Sequence, residues 1–121
     1  MCYAFYMTVR EELTEIARER VLVLDGAMGS VIQGFHLDEA DFRGGRFAGH
    51  PRELTGCNDL LCLTKPDCIA GIHEAYLRAG ADIIETCSFN STAVSLADYG
   101  LGELAYEVSA AAARIAREAA D

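Results

Sequence analysis

The sequence predicts an α/β fold, the opening portion of a larger domain built on a parallel sheet. Three observations carry this. Val21-Leu22-Val23-Leu24 is a continuous apolar run stopped by Asp25-Gly26. Short, apolar on both faces and closed by a turn dipeptide, it reads as a buried parallel strand. Asp82 to Thr86 is a second short run of the same kind. Between and after them the apolar residues recur at helical spacing. Strands alternating with helices imply a parallel sheet with right-handed crossovers. Only two strands are legible. The expected unit is therefore incomplete, about two strands plus helices, and its last helix would lead into a third strand.

The elements follow in order. Thr8 and Glu11 form a capping-box pattern, and Val9, Leu13, Ile16 and Ala17 continue at helical spacing, which predicts a helix over 8–20. After the first strand, Gly29 to Ile32 reads as one helical turn. A polar stretch with no sustained period runs from His36 to Gly56, and so long a loop tends to be functional. Within it, Asp38, Glu39, Asp41 and Arg43 read as a charged surface helix, with Arg43 and Arg46 pairing with those acids. Thr64-Lys65-Pro66-Asp67 predicts a helix start with Thr64 as cap. Ile69, Ile72, Tyr76 and Ala79 form its buried stripe, and Gly80 stops it. A short helix is expected over 93–99. An Ala-rich one is expected over 103–120, with Leu104, Val108, Ala111, Ala112, Ile115 and Ala119 on one face.

The 121 residues suffice for one small domain. Lys and Arg total 10 against 19 Asp and Glu, a net charge of -9. So acidic a chain is a poor candidate for nucleic acid or anionic membranes, which need clustered cations. No apolar run has the length to span a bilayer, and Met1 to Met7 lacks the parts of a secretory signal. Five cysteines, an odd number with no C-x-x-C pair, argue against a disulfide framework and predict a reducing, cytoplasmic setting.

Two polar clusters close the two expected strands. The first is Asp25, Gly26, Ala27, Met28, Gly29 and Ser30. The second is Glu85, Thr86, Cys87, Ser88, Phe89 and Asn90. In parallel α/β folds such strand ends open onto one ligand-bearing face. Glycines beside Asp25 let backbone N–H groups approach a carboxylate or phosphate closely. Asp25 and Glu85 would present two carboxylates, suited to an amino group or to acid–base work. Against this, D-G is a common turn and E-T a common strand end. Cys87 is the one cysteine expected at that face and a candidate reactive thiol. His73 reads as a packing or capping residue, and His36 and His50 as solvated loop residues.

V-L-V-L-D-G-A-M-G-S-V-I-Q, then D-E-A-D-F-R-G-G-R-F, G-C-N-D-L-L, I-H-E-A-Y-L-R-A-G-A-D-I-I-E-T and F-N-S-T together resemble the homocysteine S-methyltransferase family. Within it they are most similar to the N-terminal homocysteine-binding module of cobalamin-dependent methionine synthase. The D-G-A-M-G and A-G-A-D-I-I-E-T pieces are shared across the family. The D-E-A-D-F-R-G and N-D-L-L pieces are more particular to the cobalamin enzyme. The resemblance divides the chain into an N-terminal extension and helix start, 1–12, and a partial homocysteine-binding domain, 13–121.

It implies the N-terminal portion of a (β/α)8 TIM barrel, a fold that takes about 250 residues in full. It implies methyl transfer to homocysteine, forming methionine. Asp25, Gly26 and Ala27 would hold the amino-acid end of the substrate, Met28 would adjoin them, and Glu85, Thr86, Cys87 and Ser88 would line the same pocket. Zinc would hold the substrate sulfur as thiolate, the nucleophilic form of a thiol. Methylcobalamin on another module would supply the methyl group, and a folate module would restore it. The family's zinc cysteines lie on later strands, so this chain is expected to lack them and not to be catalytic alone. Cys57, Cys62 and Cys68 are spaced by five and six residues with nothing to bring them together as substitute ligands; Cys62, in an extended run, and Cys68 read as packing residues.

The sequence departs from the family pattern D-G-G-M-G-T and E-T-N-T-F. Ala27 stands for the second glycine, tolerable only at negative φ. Ser30 and Ser88 stand for Thr, and Cys87 for Asn, with loss of an amide donor and acceptor. Another enzyme reading is a betaine- or S-methylmethionine-type homocysteine methyltransferase, which the 38–61 stretch disfavours, and a weaker alternative outside that family is an independent flavodoxin-like domain. A third reading is a non-catalytic module whose open strand edges make it self-associate or pair with another chain.

Overall fold

The computed structural model describes residues 7–121. Residues 1–6 of the N-terminal extension, Cys2 among them, lie outside the described residues. Seven helices follow in order: α1 (Val9–Glu19), α2 (Met28–Gly34), α3 (Glu39–Arg43), α4 (Leu61–Thr64), α5 (Pro66–Arg78), α6 (Ala93–Ala97) and α7 (Ala105–Ala120). Short 3₁₀ turns, Asn58–Leu60 and Gly102–Leu104, lead into α4 and α7.

The described residues contain no sheet, which overturns the α/β class and with it the two-strand opening of a TIM barrel. The two apolar runs do lie side by side and parallel, but they make a single bridge, Leu24 to Ile83. Side chains pinch the ladder off at both ends. Asp82 Oδ2 accepts the Val23 N–H at 2.8 Å, and Asp25 Oδ2 accepts the Glu85 N–H at 3.1 Å. Only Asp25 N–H to Ile83 O at 2.9 Å and the Asp82 and Ile83 N–H groups to Val23 O remain as main-chain links. Nor is the first run buried: Val21 is 84% and Leu24 52% exposed. A parallel pair acquires its burial from flanking strands and covering helices, and here the apolar runs stay largely exposed, with Leu22 and Ile84 no more than half-buried.

The core is helical. Leu60 and Leu61 at the start of α4, Ile69 and Ile72 of α5, and Val108 and Ala112 of α7 are almost wholly buried and belong to one cluster. Alanines on α7 let it approach α4 and α5 closely. Of the stripe expected on α5, Ile69 and Ile72 are buried, Tyr76 is half-buried and Ala79 is exposed. The 36–56 stretch closes over the core through Phe42, Phe47 and Leu54, all buried. It is held without a regular ladder. Glu39 accepts from the N–H groups of Leu54 and Thr55, and the Arg43 guanidinium donates to the carbonyls of His50 and Arg52.

Local signals fared better. Thr8 and Glu11 make the full capping box on α1, and Asp38 with Asp41 makes a second on α3. Gly80, at φ 105°, ends α5 in a Schellman arrangement, with Ala81 N–H to Tyr76 O and Gly80 N–H to Leu77 O, both 3.0 Å. Thr64 does not cap α5. It belongs to α4, its hydroxyl donates to Leu60 O, and Lys65 takes the cap position without a side-chain bond. Cys62 is helical, not extended. Arg43 pairs with Glu39 as expected, but Arg46 reaches Glu107 on α7. His50 is half-buried and bonded to Tyr99 O at 2.7 Å, not solvated.

Candidate functional site

A cleft of about 520 Å³ opens where the two extended segments end. Its wall contains all of Asp25, Gly26, Ala27 and Met28 from the first cluster, and all of Glu85, Thr86, Cys87 and Ser88 from the second. Gly29, Asn58, Asp59, Phe89 and Asn90 complete it. Residues sixty apart in sequence meet because the Leu24–Ile83 bridge aligns the segments. The Asp25 carboxylate then ties the two clusters directly through its bond to the Glu85 N–H.

Each cluster is held for a local reason. Gly26 lies against α5, where an added Cβ would sit 3.5 Å from the Tyr76 hydroxyl. Ala27 has φ -45° at the N-terminal cap position of α2, so the alanine meets the condition of negative φ. In the second cluster the Thr86 and Ser88 hydroxyls bond each other at 2.6 Å, and the Ser88 N–H donates to Thr86 O. Ser91 anchors the far end, bonding Ser88 O and the Ser109 hydroxyl of α7. Phe89 is 93% exposed at the rim.

Asp59 is the functional candidate that sequence reasoning missed. Its carboxylate is buried, accepting the Asn90 N–H at 2.6 Å and facing the Cys87 thiol at 3.6 Å. The signal was present as the polar pair Asn58-Asp59 directly before the apolar run L-L-C-L. Such a pair at the start of a buried turn must face either a partner or a cleft.

Cys87 is not a reactive thiol. It is buried, and the adjoining Cys62 thiol, desolvation and the Asp59 carboxylate all push its pKa far up. Thiolate is the reactive form, so these neighbours slow the reaction of Cys87 by holding it as thiol. Burial likewise raises Cys57 to about 11. His73 is wholly buried with neither ring nitrogen partnered, and Asp25 Oδ1 is also buried and unpartnered. Burial pushes the His73 pKa down against the pull of Asp25.

The lining carries three carboxylates, Asp25, Asp59 and Glu85, and no Lys, Arg or His. Such a site favours a cationic group, an ammonium above all. The residues present do not fit a zinc ion. Among the described residues no group of three or more His, Cys, Asp and Glu converges on a metal position, and the buried thiols resist the deprotonation a metal ligand requires. A phosphate-bearing cofactor such as cobalamin also finds no cation in this cleft.

The family model described as homocysteine S-methyltransferase matches residues 22–121, which takes in the whole of the cleft. The chain belongs to that family. Methyl transfer to the sulfur of homocysteine is the chemistry the family name states, and the methyltransferase assignment holds at that level. Among the described residues no helix is long and apolar enough to cross a membrane.

Proposed function

We propose that this homocysteine S-methyltransferase chain is the homocysteine-binding part of a cobalamin-dependent methionine synthase. The observation that carries the reading is the convergence of Asp25–Met28 and Glu85–Ser88 on one acidic cleft. Homocysteine is a zwitterion at neutral pH. Its ammonium suits Asp25 and Glu85, whose carboxylates lie on the same wall. Its carboxylate suits backbone N–H groups at Gly26 and Ala27, where no long side chain intervenes. Met28 and Phe89 offer apolar surface to the methylene chain. The D-E-A-D-F-R-G and N-D-L-L stretches favour the cobalamin enzyme over a relative using betaine or S-methylmethionine.

The chain's part is to bind and orient. The described residues do not fit zinc, so on this reading the substrate sulfur would be held as thiolate by groups outside them. The methyl donor and the folate that renews it would then be handled by other modules. Calorimetric titration with L-homocysteine tests the binding. The wild-type chain should bind, and Asp25→Asn and Glu85→Gln should each weaken binding about tenfold, the loss of one charge-assisted contact. No binding, or equal binding by both variants, overturns the reading. Incubation with homocysteine, zinc and methylcobalamin should yield no methionine, and turnover by the purified chain would contradict the division of labour.

A further inference from the structure

We propose that Asp59 is the positioning residue of the cleft, its buried carboxylate fixing the Glu85–Asn90 wall through the Asn90 N–H and the Cys87 thiol. This concerns the same site as the proposed function and rests on that reading only for the identity of the ligand.

Asp59 sits on the 3₁₀ turn Asn58–Leu60, and its neighbours Leu60 and Leu61 are wholly buried. The turn is therefore anchored in the core, and the carboxylate has little freedom to move. The Glu85–Asn90 wall reaches the core through one side chain only, the buried Cys87. It forms no helix or strand, and Glu85, Thr86, Phe89 and Asn90 are all exposed. What fixes it are side chains reaching in from elsewhere. Asp25 takes the Glu85 N–H at one end, and Asp59 takes the Asn90 N–H at 2.6 Å at the other. Between them the Cys87 thiol points at Asp59 Oδ1, 3.6 Å away, while Cys62 donates to Cys87 O at 3.4 Å. A carboxylate accepting a backbone N–H makes a charge-assisted bond, stronger than a neutral one. Asp59 thus ties two points of the wall to the core at once, and Cys87 reports on it directly.

The test is Asp59→Asn in the full chain, read by the rate at which each cysteine reacts with iodoacetamide between pH 7 and 10, resolved by peptide mass. The amide oxygen can still accept the Asn90 N–H, so the wall stays in place while the negative charge beside Cys87 is gone. Cys87 alkylation should rise about tenfold at fixed pH, one pH unit's worth of thiolate, and by more than that of Cys57, which the Asp59 charge also holds up, with Cys68 unchanged. An unchanged Cys87, or four cysteines accelerating together, overturns the proposal, because the second pattern marks general loosening. A readout without a variant guards against misfolding of Asp59→Asn. In the wild-type chain the Asn90 amide should exchange with solvent about a hundredfold more slowly than that of its neighbour Phe89, and equal rates overturn the proposal. Neither readout uses a ligand. Failure of homocysteine to bind would count against the proposed function alone.

Discussion

Arg20 holds Asp82 with both arms of its guanidinium, Nη1 to Oδ2 at 2.7 Å and Nη2 to Oδ1 at 2.5 Å. The same Asp82 carboxylate takes the Val23 N–H. One side chain therefore docks the exit of α1 and brings the two extended segments into line, which is what places Asp25 beside Glu85. Helix α1 buries no residue, so this clamp is its main tie to the rest of the molecule. Asp82→Ala should lower the Tm more than Arg20→Ala, because it also orphans the Val23 N–H. Thermal melts followed by circular dichroism decide the order. Arg20, hydrogen bonding from Val23 and charge attraction hold Asp82 at a pKa of about 2. A depressed folded pKa means stability that is present above the unfolded value near 3.8 and lost as pH falls towards 2. Asp82→Asn should flatten that part of the acid limb.

This clamp also shows why part of the fold was legible and part was not. Capping signals are local, and Thr8 with Glu11 and the stop at Gly80 could be read within a few residues. The two clusters that line the cleft were legible for the same reason, since each is contiguous. Strand identity is not local. V-L-V-L has the composition of a buried strand, but burial depends on what lies across it, and here Val21, Val23 and Leu24 stay exposed while Leu22 is only half-buried. Competition from Asp82 and Asp25 for the ladder's N–H groups could not be foreseen from either segment alone. Asp59 was missed on the same ground, because its burial exists only once the Glu85–Asn90 wall folds over it. Cys87 was misjudged as reactive because the neighbouring Cys62 is twenty-five residues away. At Thr64 the error was one of competition, as the hydroxyl that could have capped α5 was already bonded within α4.

Glu39 anchors the 36–56 stretch. Its carboxylate accepts from the Thr55 hydroxyl at 2.6 Å, from the N–H groups of Leu54 and Thr55, and from Arg43. These bonds, the Thr55 hydroxyl foremost, hold its pKa at about 2. Stability from Glu39 is complete above about 4.5 and fades as pH falls towards 2. In Glu39→Gln one carboxamide cannot accept all these donors. The variant should melt lower at pH 7 and lose less than the wild type on going to pH 3, as measured by denaturant unfolding at the two pH values.

Gly102 turns the chain from α6 into α7 at close quarters. A Cβ there would lie 2.9 Å from the Ala93 carbonyl oxygen, which is backbone and cannot swing aside. Gly102→Ala should therefore cost about 1–3 kcal/mol, in the range of overpacked sites. Gly45 and Gly49 have open space around the same position and no positive φ. Alanine at either should be neutral or stabilise by about 0.4–1 kcal/mol, through the unfolded chain alone. Urea midpoints for the three variants check this, and a tolerated Gly102→Ala would mean that α6 moves freely against α7.

His73 makes the sharpest pH prediction because its window lies above that of the carboxylates. The imidazole is wholly buried, neither nitrogen has a partner, and burial lowers its pKa below 6.5 while Asp25 resists. The unfolded chain therefore takes up the proton first as pH falls, so it binds more protons than the folded state. Stability then rises with pH across this window. The wild type should lose stability as soon as pH drops through about 6.5, well before Glu39 and Asp82 titrate. In His73→Leu that early loss should vanish, leaving a flat profile down to about pH 5. At pH 8 the variant should be no less stable than the wild type, because two unpartnered buried nitrogens, each costing about 1–3 kcal/mol, leave with the ring. Denaturant midpoints at half-unit steps from pH 8 to 5 measure both features. An early acid limb that persists in His73→Leu would assign it to another group, and a large loss at pH 8 would mean that the ring nitrogens are bonded in solution.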